Sequence, residues 1–222
     1  MKDNIEIKNI NFKYPKSDLL FNAFSLDLNM GETTFLIGDN GSGKTTLSKL
    51  IMGILKISSG SISIDNKGID QCTLGEIGKS IGYVFQNPDH QIFGQSVIEE
   101  MSFVPILLGN DSIETIDKAD KLLDNFGLLH KRESLPFKLS FGEKRRLAIA
   151  STLMREPRYI ILDEPLVSLD MNNMDIIKIT INELRRTGKG LLVISHNEDF
   201  ANEYADRVIK IQDGRIAYDE SK

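Results

Sequence analysis

The chain has 222 residues, enough to bury a sizeable core in one domain without disulfide or metal support. Its single cysteine, Cys72, excludes an intramolecular disulfide framework and zinc sites with several cysteine ligands, and its net charge of -5 argues against nucleic acid as the main partner. No apolar run approaches the roughly 20 residues that span a bilayer, and Met1–Ile10 lacks the pattern of a signal peptide, so we expect that the chain alone does not enter a membrane.

The first predicted elements are strands. Apolar residues alternate with polar ones over Ile5–Phe12 and Ala23–Leu28, which predicts two half-buried strands separated by a turn at Pro15. The continuous apolar run Thr33–Ile37 is typical of a fully covered strand. A glycine-rich loop follows, and leucine, isoleucine and methionine at helical spacing predict a helix over Thr45–Leu55.

The middle of the chain changes from strands to helices. Two further strands are predicted over Ser61–Ile64 and Ile81–Phe85. From about residue 96 to 156 the apolar residues recur with the helical period, and Gly109, Gly127 and Pro136 separate the segments. The three helices are predicted over Val97–Leu108, Ser112–Phe126 and Phe141–Glu156.

Strands and helices alternate again in the last third of the chain. The predicted order is strand Tyr159–Leu162, helix Met171–Arg186, strand Gly190–Ile194, helix Glu198–Tyr204 and strand Val208–Ile211. Such alternation predicts an α/β fold with a mostly parallel sheet that has helices on both faces. The helical block in the middle is then an inserted lobe.

Residues 38–45 match the P-loop pattern G-x-x-x-x-G-K-[ST] in full, between a predicted strand and a predicted helix. In that context a plain glycine-rich turn is a poor alternative. Glycines allow backbone N–H groups and the helix N-terminus to face phosphate oxygens. We predict that Lys44 reaches the β- and γ-phosphates of a nucleotide and that the Thr45 hydroxyl binds Mg²⁺. The candidate nucleotide-binding residues are Gly38, Asp39, Asn40, Gly41, Ser42, Gly43, Lys44, Thr45 and Thr46.

Two adjacent carboxylates, Asp163 and Glu164, end the apolar strand that begins at Tyr159. Paired charge at the end of a buried strand is costly, which argues against a purely structural role. A solvated acidic turn is the alternative, but it is less attractive in a chain that also has a P-loop. We predict that Asp163 holds the Mg²⁺ shell and that Glu164 polarises the attacking water, a role that contributes about 10²–10⁴-fold to the rate.

The segment Leu139–Glu143 opens the third predicted helix of the lobe. Ser140 three residues before Glu143 has the pattern of a capping box. A helix N-terminus is also an anion site, so Ser140 and the backbone at Gly142 are equally well interpreted as holding a phosphate. The basic run Lys144–Arg146 is interpreted as an exposed helix face in preference to a nucleic-acid site.

In this order, the motifs resemble those of the ATP-binding-cassette (ABC) ATPases along essentially the whole chain. The family order is an aromatic residue, Walker A, Gln loop, signature, Walker B with its glutamate, D-loop and switch histidine. The matching positions are Tyr14, Gly38–Thr45, Gln86, Leu139–Glu143, Ile160–Glu164, Ser168–Asp170 and His196. One such motif is weak evidence, but seven in register are strong evidence.

The resemblance implies roles for three more residues. Tyr14 would stack on adenine, although packing at a strand end is an alternative for this residue. Gln86 would touch Mg²⁺ or the attacking water, and His196 would contact the γ-phosphate and orient the water.

The resemblance also implies the P-loop NTPase (RecA-like) fold with an antiparallel N-terminal β subdomain. We expect one ABC ATPase domain over residues 1–222, with its core at about 1–95 and 157–222 and the helical lobe at about 96–156.

The family works as a head-to-tail pair that sandwiches ATP, in which the signature of one chain completes the Walker site of the other. The resemblance therefore implies a second ABC ATPase chain as partner. Here the signature has Phe141 where glycine is usual and Glu143 where glutamine is usual. We expect the bulk of Phe141 and the charge of Glu143 to impair the partner's site, which favours a heterodimer.

Residues 86–93, Gln-Asn-Pro-Asp-His-Gln-Ile-Phe, are similar to a loop of the energy-coupling factor and cobalt/nickel-type importers. The similarity implies an ATPase subunit at the cytoplasmic face of the cell membrane that drives an integral membrane subunit in the uptake of a vitamin or a transition metal. Another ABC importer or an exporter is one alternative, and a soluble non-transport ABC ATPase is another. The short interval from Thr45 to Leu139, without sustained heptads, and the single P-loop argue against the soluble class.

Overall fold

Ten strands and seven α-helices lie within residues 4–222, the part of the chain that the computed structural model describes. The strands are β1 (Asn4–Phe12), β2 (Phe21–Asn29), β3 (Thr33–Ile37), β4 (Ser59–Ile64), β5 (Lys67–Gly68), β6 (Ile81–Val84), β7 (Tyr159–Asp163), β8 (Gly190–Ile194), β9 (Arg207–Gln212) and β10 (Arg215–Ser221). The helices are α1 (Lys44–Ile51), α2 (Leu74–Ser80), α3 (Val97–Leu107), α4 (Ser112–Asn125), α5 (Phe141–Leu153), α6 (Met171–Arg186) and α7 (Glu198–Tyr204).

The N-terminal strands form an antiparallel sheet of four strands in the order β2-β1-β4-β5. Ile5 pairs with Leu28 and Ile7 with Leu26, and all four side chains are buried. Because side chains alternate between the two faces of a strand, this register puts the apolar residues of β1 and β2 on one face. The antiparallel N-terminal subdomain predicted from the sequence is confirmed.

The second sheet has six strands in the order β10-β9-β3-β8-β7-β6. Strand β3 runs parallel to β8 and β9, β7 runs parallel to β8, and β10 pairs antiparallel with β9. Every residue of β3, β7 and β8 is buried, so these strands are covered on both faces. The predicted α/β fold is confirmed, and the parallel order brings the carboxyl ends of β3, β7 and β8 to one edge of the sheet, where such folds place their ligands.

The chain divides into two compact units. The first unit contains the described residues up to Tyr83, together with Arg158–Glu164 and Asn182–Lys222. The second unit contains Val84–Pro157 and Pro165–Ile181, and α3, α4 and α5 all belong to it. The lobe expected over residues 96–156 thus lies inside a unit that also includes residues 84–95 and 165–181.

Some elements differ in length from the prediction or were not predicted. Helix α1 ends at Ile51 instead of Leu55, since Gly53 has a φ of 68° that leaves the helical region. Strands β5 and β10 and helix α2 were not predicted. Within residues 4–222, no helix combines the length and the apolar character needed to cross a bilayer.

Candidate functional site

The P-loop joins β3 to α1 in the first unit and is held by its own lysine. The Nζ of Lys44 donates hydrogen bonds to the carbonyl oxygens of Gly38 at 2.7 Å and Asp39 at 2.8 Å. Lys44 is buried, and burial lowers its pKa, while the carboxylates of Glu164 and Asp163 act in the opposite direction. The loop therefore keeps its curled shape with an ammonium group at its centre.

The first hydroxyl of α1 faces the end of β7. Thr45 Oγ1 donates to Asp163 Oδ1 at 3.1 Å, although the two residues are 118 positions apart in the chain. Asp163 is 2% exposed, and burial raises its pKa, whereas the hydrogen bonds from Tyr83 and Thr45 act to lower it. The structure thus brings together the two residues that the sequence assigns to Mg²⁺.

Two buried hydroxyl groups form a chain of hydrogen bonds to Asp163 that the sequence analysis did not predict. Tyr83 Oη donates to Asp163 Oδ2 at 3.0 Å, and Ser48 Oγ lies 3.1 Å from the same Tyr83 Oη. Ser48 and Tyr83 are both buried. The sequence indicates this hydrogen-bond chain only weakly. Ser48 comes one turn after Thr45 on α1, and the Tyr83 hydroxyl is the one polar side-chain group of β6.

Glu164, which follows Asp163 in the chain, faces His196, which lies just after the end of β8. The Nδ1 of His196 lies 3.1 Å from both carboxylate oxygens of Glu164. Glu164 is 7% exposed, whereas the His196 side chain is 60% exposed. The backbone of Glu164 has a φ of 49°, and its N–H donates to the carbonyl of Ile194 at 3.0 Å. This left-handed conformation is uncommon for glutamate, and residues held in it often lie at functional sites.

Tyr14, the candidate adenine contact, lies beyond β1 and is half-exposed. Its Oη is 3.0 Å from Thr46 Oγ1, and its ring packs edge-on to Phe12 with centroids 5.0 Å apart. The hydroxyl end of Tyr14 therefore contacts the second threonine of α1, and its ring packs on Phe12.

The P-loop contains two further features that bear on phosphate binding. Ser42 Oγ is buried and has no hydrogen-bond partner among the described residues, which is unusual for a buried hydroxyl. A Cβ at Gly38 would lie 2.1 Å from the carbonyl oxygen of Ile211, so only glycine lets the backbone pass there. A buried hydroxyl without a partner, two residues before Lys44, is a donor that suits a phosphate oxygen.

Gln86 lies in the second unit, and its side chain is exposed. Its carbonyl oxygen accepts a hydrogen bond from Nη2 of Arg145, and the carbonyl of Phe85 accepts from Nη1 at 2.7 Å. The interpretation of Lys144–Arg146 as an exposed basic face is wrong, because Arg145 is 0% exposed and Lys144 and Arg146 are half-buried. Hydropathy patterns treat every arginine as a surface residue and do not reveal one that is buried with carbonyl partners.

Ser140 and Gly142 also belong to the second unit. Ser140 Oγ accepts from the N–H of Glu143 at 3.2 Å, and the N–H of Ser140 donates to Glu143 Oε2 at 2.8 Å, so the capping box is formed. Burial acts to raise the pKa of Glu143, but the hydrogen bonds from Ser140 outweigh it and lower that pKa. A Cβ at Gly142 would lie 2.5 Å from Nδ2 of Asn173, so the helix start packs closely on the first turn of α6.

Residues 21–167 match the family model described as ABC transporter. The energy-coupling factor transporter ATP-binding protein EcfA3 of Clostridium perfringens is 36% identical over 220 residues, which cover 97% of this chain and 77% of that protein. The solved structure of cbiO1 from Clostridium perfringens, part of the ABC transporter complex cbiONQ, is similar with a TM-score of 0.88 at 32% identity, covering 100% of this chain and 89% of that chain. The ATP-binding cassette MJ0796, in a dimer bound to ADP and Pi, has a TM-score of 0.87 at 26% identity and 98% coverage of both chains.

Proposed function

Because this chain belongs to the ABC transporter family, as an ATP-binding subunit that hydrolyses ATP, we propose that it uses Mg²⁺-ATP to move an integral membrane subunit of the energy-coupling factor type. The observation that carries the proposal is the pair of contacts at one edge of the parallel sheet. Thr45 bonds Asp163, and beside them Glu164 faces His196. A phosphate cradle, a cation site and a base are thereby adjacent.

The proposed roles follow from the donors and acceptors that each residue offers. Lys44 exchanges its two carbonyl partners for β- and γ-phosphate oxygens, and Thr45 and Asp163 hold Mg²⁺. When bound, the cation neutralises charge that develops on the phosphate oxygens. Further donors come from the backbone of the loop and from the Ser42 hydroxyl, and Tyr14 stacks on the adenine.

Glu164 is the proposed base that accepts a proton from the attacking water. Its carboxylate is buried, and both of its oxygens lie 3.1 Å from Nδ1 of His196. The exposed side of His196 remains available to contact the γ-phosphate. Gln86 is the proposed further contact to Mg²⁺ or the water, and Ser140 with the backbone of Gly142 is the proposed contact to the nucleotide of a partner chain.

Glu164→Gln tests the assignment of the base. The amide keeps the shape of the side chain but cannot accept the proton, so we expect ATP binding to remain and turnover to fall by about 10²-fold or more. Isothermal titration and a phosphate-release assay measure the two quantities. Glu203→Gln on the exposed side of α7 is the control, with turnover like that of the native chain. Native turnover in Glu164→Gln would remove Glu164 from the role of base.

An exposed apolar group in the second unit supports a membrane-embedded partner. Phe93, at the end of the Gln86 loop, is 60% exposed and packs edge-on to Phe103 with centroids 5.3 Å apart. Leu107, one turn after Phe103 on α3, is 71% exposed. Apolar side chains grouped in this way on a surface mark interaction sites more often than single exposed ones do. We assign this group to docking of the membrane subunit at the cytoplasmic face of the membrane.

Co-purification from detergent-solubilised membranes tests the partner. We expect the chain to be recovered with a small polytopic membrane protein, and Phe93→Ser to weaken that complex while leaving ATP binding intact. Stable association with ribosomes or DNA instead would contradict a transport role. The cargo class, a vitamin or a transition metal, would follow from uptake assays with the reconstituted complex. Export of a substrate by that complex would favour the alternative that the chain serves an ABC exporter.

A further inference from the structure

A buried arginine on α5 binds the backbone of the loop that begins at Gln86. Arg145 is the bulkiest of the fully buried side chains in the described part of the chain. Its two terminal nitrogens donate to successive carbonyls, those of Phe85 and Gln86. A planar guanidinium that spans two carbonyls in a row fixes the orientation of the peptide between them, which a single ammonium could not do.

Two more side chains fasten the same loop to the same helix. The amide nitrogen of Gln91 donates to the carbonyl of Ala148 at 3.0 Å and to Thr152 Oγ1 at 2.9 Å. Its amide oxygen accepts from the N–H of Phe85 at 3.3 Å, which closes the loop on itself.

One turn earlier on the helix, the Lys144 ammonium pairs with Asp89 at 2.7 Å. The loop is therefore tied along one side of α5 over more than two helical turns.

The phenylalanine that replaces the usual signature glycine covers this arginine. The Arg145 guanidinium lies over the ring of Phe141, 5.4 Å from its centroid, within the range of a cation–π contact. The two residues are four apart on α5 and so are neighbours on its surface. Phe141 is 37% exposed, and the rest of its surface is buried in this contact and its surroundings. The ring thus packs back on its own helix.

We propose that Arg145 is a positioning residue that holds Gln86 for ATP hydrolysis, and that Phe141 covers it and stabilises its bidentate contact. The proposal rests on the proposed function of Gln86 as a contact to Mg²⁺ or the attacking water. Arg145 lies in the second turn of α5, so one side chain joins the loop at Gln86 to the start of the helix that Ser140 caps. Phe141 then has a structural role within its own helix, and its effect on the partner's site stays a prediction.

Arg145→Lys tests the proposal, with Arg146→Lys as the matched control. Arg146 lies on the same helix and donates to the carbonyl of Phe126 in the same unit, but it does not touch the Gln86 loop. In Arg145→Lys we expect amide exchange in residues 84–92 to accelerate about fivefold, as for the loss of one hydrogen bond. We also expect kcat to fall roughly 10- to 100-fold with KM for ATP changed by less than about twofold, because the P-loop is not altered. Arg146→Lys should change neither the exchange of this segment nor kcat.

Phe141→Leu is the second variant, because it removes the ring while the guanidinium remains. We expect the same acceleration of exchange in residues 84–92 to a smaller degree, and Phe141→Tyr should keep the slow exchange. Unchanged exchange in both Arg145→Lys and Phe141→Leu would overturn the proposal, as would faster exchange with an unchanged kcat. If the native chain hydrolysed no ATP, the proposed function would fail, while the exchange data would still decide whether Arg145 holds the loop.

Discussion

Asp163 is held from two sides by hydroxyl groups of other elements. Thr45 from α1 and Tyr83 from β6 each donate to one of its oxygens, and Ser48 contacts Tyr83 from behind. Burial raises the pKa of Asp163, and the two donors oppose that effect by stabilising the anion. The residue expected to bind a cation is therefore kept in one orientation at some cost in stability, as is common in functional sites.

Tyr83→Phe measures what the hydrogen bond from Tyr83 contributes to cation binding at Asp163. Removal of the hydroxyl leaves one oxygen of Asp163 without its donor, and we expect the Mg²⁺ concentration for half-maximal turnover to rise roughly 10-fold. Electron paramagnetic resonance of bound Mn²⁺ in the presence of a non-hydrolysable ATP analogue measures the same change without turnover. Tyr159→Phe on β7 is the matched control, because the Tyr159 hydroxyl is buried without a hydrogen-bond partner among the described residues. Equal effects of the two variants would contradict a specific role for Tyr83.

At the residue scale, the sequence reveals groups whose chemistry depends on local spacing. Lys44 and Thr45 are predictable because the P-loop places them by chain order, and Asp163 because it ends an apolar strand. Tyr83 and Arg145 are not predictable in this way, since their partners lie 80 and about 60 positions away in the chain. Only the fold determines that an arginine in a basic run has two carbonyls to bind and is buried with them.

Elements were predicted well where the apolar pattern was continuous and poorly where it was not. Strands β3 and β8 and helices α6 and α7 have the predicted bounds. Strand β10 was missed because it is mostly exposed and only Ile216 and Tyr218 are half-buried, so it has no apolar face to detect. Helix α2 has seven residues with two glycines, which obscured the one available signal, the capping box of Thr73 and Glu76.

Glu100 on α3 makes the stability of the second unit depend on pH. Its Oε2 accepts from the N–H groups of Phe93 at 2.9 Å and Gly94 at 2.8 Å, and the residue is buried. Burial raises the pKa of Glu100 above 4.5, although the two N–H groups act to lower it. As pH rises past 4.5, the unfolded chain loses this proton before the folded chain does, so the stability that this group contributes falls.

Glu100→Gln removes that dependence while keeping an oxygen acceptor for the loop. We expect the variant to have the stability of the native chain near pH 4 and to become more stable than it as the pH rises from 4.5 through the folded-state pKa of Glu100, above which the difference stays constant; urea unfolding measures it. The comparison at low pH is the control, since both side chains are then neutral. A difference in stability that does not vary with pH would mean that Glu100 has the same pKa in the folded and unfolded chain.

At the scale of the whole molecule, one chain provides a nucleotide site and a signature but is expected to use them with a second chain. We expect Glu164→Gln to form an ATP-dependent dimer, because it binds ATP without consuming it. Size-exclusion chromatography with light scattering measures the mass, and the double variant with Lys44→Ala, which loses the phosphate contact, should stay monomeric. A dimer that forms without ATP would contradict nucleotide-driven closure. A dimer that appears only with another ABC chain would identify a heterodimer.

The hydrogen bonds between Lys44 and its own P-loop bear on how quickly one nucleotide can replace another. The Lys44 ammonium donates to two carbonyls of its own loop, so we expect an arriving phosphate to exchange with these protein partners. The same carbonyls are in place when the products depart, and the ammonium can return to them at once. We expect Lys44 to alternate between hydrogen bonds to these carbonyls and contacts to phosphate, while the loop keeps its conformation. The nucleotide could then exchange without refolding of the loop.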